Sequence, residues 1–343
     1  MLRLPLIVGF QGLEPDWVWL ERVRPAGVIL FTRNFQDLEQ LRKLTLDLHR
    51  FDPHLFIVID QEGGRVNRLK TLLGEFPGPP SMHTPEIARQ NGYVMGQLLR
   101  SLAIDFNFAP VIDLNYGNPG NALDLRYLGS DPEEVALKAV AYVKGLRKAG
   151  IEGCLKHFPG LGSTIPDSHF HLPTLELPES QWQQQEAKVY QRCAQLGMHN
   201  VPIMVGHCTI PFWDQEIATL SGHTAKAAQA LGHQGMLISD DFEMKALDQT
   251  RLPELTLQAL ENGLDLVIVC HRADLIESIA DALREQPQIL AQKHQRINTF
   301  DQHLVQLKAQ SPQPPFEKAL ADWQAFASGS QSEQQDFHAF LDT

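Results

Sequence analysis

Apolar runs of four to six residues recur along this chain, and most of them end on a polar residue. PLIVGF (Pro5–Phe10), GVILF (Gly27–Phe31), LFIVID (Leu55–Asp60), FNFAPVID (Phe106–Asp113), GCLKHF (Gly153–Phe158), PIMVGH (Pro202–His207), MLISD (Met236–Asp240) and LDLVIVC (Leu264–Cys270) are the main ones. Their apolar positions are continuous rather than alternating, which predicts strands covered on both faces, as in a parallel sheet. Helix-period segments separate most of them. Leu38, Leu41, Leu44 and Leu48 share one helical face. DPEEVALKAVAYVKGLRKAG offers Asp131 as N-cap, Pro132 at the first helical position, Glu134 as a capping-box partner and Gly150 as a stop. LPELTLQALENG ends a further helix at Gly263. About eight strands alternating with helices predict an α/β fold, a (β/α)8 TIM barrel in a single domain over residues 1–310. An open doubly wound sheet is the alternative; polar strand ends spread along the whole chain disfavour it. After SPQPP the pattern changes. FEKALADWQAFA reads as a short amphipathic helix and SGSQSEQQDFHAFLDT as a polar tail, so residues 311–343 form a C-terminal helical appendage.

Composition narrows the classes. The formal net charge is -12 and no basic stripe is present, which argues against a nucleic-acid partner. Cys154, Cys193, Cys208 and Cys270 form no CxxC pair and no metal-finger spacing, so they read as reduced, buried thiols of a cytoplasmic protein. The N-terminal MLRLPLIVGFQG lacks the apolar core of a signal peptide, and no run reaches membrane-spanning length. The expectation is a monomer with no membrane partner, no cofactor and no metal.

In a barrel the carboxyl ends of all strands meet on one face, where the chemistry takes place. The polar residues there are Asp60 after the third strand, Asp113 after the fourth, Lys156 and His157 on the fifth, His207 after the sixth, and Asp240 and Asp241 on the seventh. KHFPGLGSTIPDSH divides into a strand end, KHF, and a loop with hinges expected at Gly160 and Gly162. That loop carries Asp167 and His169, a couple in which the carboxylate orients the imidazole and raises its basicity, suited to general acid/base work. Asp240 is favoured as nucleophile because a carboxylate at the tip of a buried strand has a fixed direction. Asp241 is expected to cap the next helix. His207 reads as a hydrogen-bonded wall residue, and Asp113 and Asp124 as loop-bracing carboxylates. Arg65 fits an ion pair or a ligand contact equally.

IDQEGGRVNR, FAPVIDL, RYLGSDP, CLKHFPGLGSTIPDSH and MLISDDFEM occur in that order and resemble the signature blocks of glycoside hydrolase family 3. The similarity is to its single-domain bacterial β-N-acetylglucosaminidases of the peptidoglycan-recycling type, and it runs from about Gly9 to Cys270. The resemblance implies a retaining hydrolysis with Asp240 as nucleophile and His169, assisted by Asp167, as acid/base in place of a second carboxylate. It implies a sugar pocket of Asp60, Arg68, Arg126, Lys156 and His157, and a GlcNAc-containing muropeptide as the small carbohydrate partner. The chain departs from the family pattern at Leu161, where a second histidine is common, and at RYLG after Arg126. Three alternatives stand beside this reading. Phosphorolysis is open, because a neutral histidine does not repel an anionic acceptor. A metal-dependent barrel hydrolase would use His157, His207, His169 and Asp240, but Lys156 beside His157 disfavours a dication. A non-catalytic sugar binder would not need Asp167, His169 and Asp240.

Overall fold

A computed structural model of the chain describes residues 2–118, 123–166 and 172–329. Eight parallel strands form its centre: β1 Leu4–Val8, β2 Pro25–Leu30, β3 Phe56–Ile59, β4 Phe106–Asn107, β5 Leu155–Phe158, β6 Ile203–Val205, β7 Leu237–Asp241 and β8 Leu266–Val269. Each overlaps one of the eight apolar runs. The ladder runs β4-β3-β2-β1-β8-β7-β6-β5, and parallel bridges Phe106–Glu152 and Val111–Lys156 join its two ends. The sheet is therefore closed, and the fold is the expected (β/α)8 barrel.

Alternate residues of each strand enter different cores, which explains why the runs are continuously apolar. Ile7, Phe56, Val58, Phe106, Ile238 and Ile268 fill the barrel interior. Leu6, Val8, Ile57, Ile59 and Val267 face the surrounding helices. At the N-terminal end Ile297, Phe300 and Leu304, on the long helix Pro287–Gln310, join the interior cluster and close it.

Two local expectations need correction. FNFAPVID contributes only Phe106 and Asn107 to the ladder, because Pro110 has no N–H to donate. Beyond them the pairing with β5 rests on single bonds, Cys154 N to Ala109 O at 2.9 Å and Ile112 N to Lys156 O at 2.8 Å. In the helix Pro132–Lys148 the Asp131 side chain accepts from Glu133 N and Glu134 N, as a cap should. Glu134, however, pairs with Lys138 at 2.5 Å, one helical turn on, rather than reaching back to the cap.

The helix Phe316–Ser328 is docked onto the barrel through Trp323, which is fully buried and stacks on Phe76 with ring centroids 3.8 Å apart. The polar tail from residue 330 lies outside the described residues. All four cysteines are free and buried. No helix among the described residues is long and apolar enough to cross a membrane.

Candidate active site

At the C-terminal face of the barrel, β3, β4, β5 and β7 deliver polar side chains to one cavity of about 310 Å³. Asp60, Arg68, Arg126, Lys156, His157 and Asp240 line it, with Phe31, Phe108, Met204 and Met244 as apolar wall. Six of the eight site residues predicted from sequence are thus brought together. The other two, Asp167 and His169, lie outside the described residues.

Charges in the cavity are tightly paired. Lys156 Nζ lies 2.5 Å from Asp60 Oδ1 and 2.6 Å from Glu62 Oε1. Arg68 donates to Asp60 Oδ2 at 2.9 Å. Arg126 makes a bidentate contact with Glu62, 2.9 Å from Nε and 2.7 Å from Nη2. Burial would raise the Asp60 carboxyl, but Lys156, Arg68 and Arg126 outweigh it and hold the group well below the ordinary carboxylate range. Burial works against the Lys156 ammonium as well, and Asp60 and Glu62 outweigh it, so its pKa is raised. Both remain ionised at neutral pH.

Glu62 was not singled out from the sequence. It sits inside QEGG, which reads as a turn, yet it is almost fully buried and satisfies two cations. Charge counting gives the missing signal: Arg68, Arg126 and Lys156 at one mouth need more than Asp60 to balance them. Arg126 is correspondingly less free than expected, since Glu62 engages two of its donors.

His157 is oriented by Asp113. The Asp113 Oδ2 accepts from His157 Nδ1 at 2.7 Å and from its backbone N at 3.0 Å, while Oδ1 accepts from Leu161 N at 2.6 Å. Nδ1 therefore carries a proton, and Nε2 is the nitrogen left for the cavity. The bracing expected of Asp113 is observed. Arg65 donates to the Asp124 backbone carbonyl at 3.1 Å, neither an ion pair nor a cavity contact. Gly160 and Gly162, expected as hinges, are close-packing positions in this structure. A Cβ on Gly162 would lie 1.9 Å from Leu114 O, and one on Gly160, at φ +121, would lie 2.5 Å from Glu186 Cδ.

At the end of β7 the two aspartates differ. Asp240 Oδ1 accepts only from Asp241 N, at 2.8 Å, and among the described residues no cation pairs with it. Asp241 does not cap a helix. Its Oδ1 accepts from Glu243 N at 3.1 Å in the turn after the strand, and the next helix begins only at Leu252. Burial pushes its carboxyl up to about 6. His207 is the wall residue expected: Nε2 donates to Asp241 O at 3.0 Å, so Nδ1 accepts from Thr219 Oγ1 at 2.9 Å. Burial lowers its pKa, although Asp240 opposes that, and the ring is neutral at pH 7. Among the described residues one group could hold a metal ion, Asp241, Cys270 and His271, with ligand atoms within 4.8 Å of one another. It differs from the set His157, His207, His169 and Asp240 that the sequence suggested, of which His169 lies outside the described residues.

Residues 14–300 match the family described as "Glycosyl hydrolase family 3 N terminal domain". The Beta-hexosaminidase of Neisseria meningitidis serogroup A is 33% identical, over 96% of this chain and 93% of its own length. The Beta-hexosaminidase of Alkalilimnicola ehrlichii is 35% identical, over 81% of this chain and 84% of its own. Among solved structures, NagZ from Neisseria gonorrhoeae in complex with N-trifluoroacetyl-D-glucosamine superposes with a TM-score of 0.78 at 29% identity, over 96% of this chain and 99% of that one. A barrel with this pocket, and a family match that spans seven of its eight strands, all but β1, make the chain a member of glycosyl hydrolase family 3.

Proposed function

We propose that the chain is a retaining β-N-acetylglucosaminidase that removes terminal, non-reducing β-linked N-acetylglucosamine, with peptidoglycan muropeptides as its substrates and the cytoplasm as its place of work. The observation that carries this reading is the contrast inside the cavity. Asp60 and Glu62 are engaged by cations, whereas Asp240 is a cavity carboxylate with which no cation pairs among the described residues. A carboxylate with a free lone pair is the better nucleophile.

In this mechanism an Asp240 oxygen attacks the anomeric carbon as the glycosidic C–O bond breaks. The His169 imidazole, assisted by Asp167, gives its proton to the departing oxygen. The glycosyl–Asp240 ester is then opened by water, whose proton returns to His169. Asp60 accepts from sugar hydroxyls and is held in place by Lys156 and Arg68, while Lys156 and the remaining donors of Arg68 and Arg126 reach acceptor oxygens. His157, fixed by Asp113, offers Nε2 to a hydroxyl. The homologues named beta-hexosaminidase and the neighbour solved with an N-acylated glucosamine support the sugar identity.

A panel of aryl β-glycosides, assayed with and without phosphate, tests this. N-acetylglucosaminides should be cleaved to the free sugar with retention, independently of phosphate. Release of a sugar 1-phosphate would instead assign a phosphorylase. His169→Ala should slow substrates with poor leaving groups far more than activated aryl ones, because only the former need the proton. Equal losses on both would remove His169 from the acid/base position.

A further inference from the structure

Away from the catalytic face, a cleft of about 580 Å³ opens between the helix Pro287–Gln310, the segment leading into β7 and the start of β8. Two polar atoms in its wall, the Lys293 ammonium and His233 Nε2, have no hydrogen-bond partner among the described residues. Lys293 is 3% exposed, yet among the described residues no hydrogen bond or ion pair holds its ammonium. His233 is 6% exposed; backbone groups of Met236 and Gly235 hold its ring, and its Nε2 is unbonded among the described residues. The carboxylate in the cleft, Asp265, is already taken. Arg296 Nε and Nη2 donate to its two oxygens at 3.1 and 2.9 Å, and Leu237 N donates to Oδ2 at 3.0 Å. Arg296 completes its bonding on the carbonyls of Gln234 and Gly235. Asp265 and Arg296 cancel each other, and Lys293 remains as net positive charge in a largely enclosed wall. The Lys293 ammonium reaches the cleft from a buried side chain, Asp265 compensates its desolvation only in part, and a bound anion would remove the remaining penalty.

We propose that this cleft binds a small phosphate-bearing molecule, its phosphate between Lys293 and His233 and its remainder against the amide side chains of Gln229, Gln292 and Gln295. Phosphate fits better than carboxylate because the available cation is a lysine, a point charge, while the planar fork of Arg296 is occupied. The cleft volume is that of a small-molecule site, and amides suit a polyol remainder. Burial depresses both groups, His233 to about 4, and an adjacent phosphate reverses that direction for each.

The test is calorimetric titration of the full chain with inorganic phosphate and, separately, with a hexose 6-phosphate, against chloride at matched ionic strength. Lys293→Met should weaken binding by about tenfold or more, the loss of one charge-assisted contact. It should leave turnover of an activated aryl substrate unchanged. The His233 ring signals should move on addition of phosphate. Tighter binding of the ester than of the ion assigns the site to the ester; equal binding assigns it to the free ion. Binding no stronger than chloride, or undiminished in Lys293→Met, overturns the proposal, since it would come from the cations of the active site. If Lys293→Met does not fold, His233→Gln is read by the same criterion.

Discussion

The two ends of the barrel both bury ion pairs, and they use them differently. At the N-terminal end Asp105, Glu152 and Asp265 are almost fully buried and divide their oxygens between backbone amides and cations. Asp105 accepts from Ile57 N at 2.7 Å, Glu152 from Gly153 N at 2.9 Å, and Asp265 from Leu237 N at 3.0 Å. Lys308, His303 and Arg296, all on the helix Pro287–Gln310, meet these carboxylates in turn. They rivet one helix to three strand starts. At the C-terminal end the pairs Asp60–Lys156 and Glu62–Arg126 surround a cavity, and among the described residues no lysine or arginine pairs with the further carboxylates Asp240 and Asp241, of which Asp241 has His271 Nε2 at 3.6 Å. Buried charge as such therefore does not mark chemistry. An unpaired polar group facing open space does, and the same criterion selects Asp240 at one end and Lys293 at the other.

Replacing Asp240 should give the largest functional effect. Asp240→Ala removes a side chain whose one hydrogen bond is to Asp241 N, so the thermal midpoint should stay near that of the parent. Turnover of an aryl N-acetylglucosaminide should fall by roughly a thousandfold or more. Comparable residual activity at saturating substrate would break the contrast between the two ends.

Asp105→Asn probes the other end and should invert that result. It leaves Lys308 facing a neutral amide in a buried setting, for which a loss of roughly 3 kcal/mol in urea unfolding is expected. Turnover per folded molecule should not change. A fall in kcat without a fall in stability would show that the N-terminal ion pairs do more than hold the helix.

How far this contrast was readable beforehand depends on what each residue's neighbours reveal. Lys156, His157 and Asp240 were legible because each ends an uninterrupted apolar run, where a polar residue has no structural reason to be. The strands were legible because both of their faces are buried, so every position is apolar. Arg68 and Arg126 came only through resemblance, since nothing in their local pattern ties them to a strand end. Glu62 was hidden in a turn-like segment and is explained only by two cations, one 64 and one 94 residues further along the sequence. Asp105 and Glu152 were missed because they precede apolar runs rather than follow them, and Asp265 because it stands second in one rather than at its end. Their partners lie on a helix face more than a hundred residues away for the first two and 31 away for Asp265. Glu134 shows a smaller failure: an i,i+4 lysine won the carboxylate that the capping pattern claimed.

Glu62→Gln sharpens the comparison within the cavity. The amide keeps the shape but leaves Lys156 with Asp60, and Arg126 with the more distant Asp60 and Asp113, as balancing anions. Lys156 and Arg68 should then compete less evenly for Asp60, and the sugar-binding face loosens. KM should rise by about tenfold while kcat falls less, because Glu62 holds binding groups and does not meet the reacting carbon. A pure kcat loss with KM unchanged would mean that Glu62 acts on the transition state instead.

The smallest effect belongs to Asp241, and its sign separates it from the paired carboxylates. Its folded pKa of about 6 lies above the ordinary 3.8, so between those values the folded state holds more proton than the unfolded one. Stability contributed by this group is full below about pH 4, declines as pH rises, and levels off above 6, a cost of about 3 kcal/mol at neutral pH for a side chain that is mostly buried. Asp60 slopes the other way: its depressed carboxyl adds stability above the unfolded pKa, which is lost as pH falls through the folded one. Asp241→Asn keeps an oxygen for Glu243 N and removes the titration. Urea midpoints measured from pH 4 to 8 should converge for variant and parent at the acid end and diverge towards neutrality, with the variant more stable. Parallel curves would mean that the Asp241 carboxyl is solvated well enough to ionise freely, and that the wall of the cavity beside Asp240 is wetter than its burial implies.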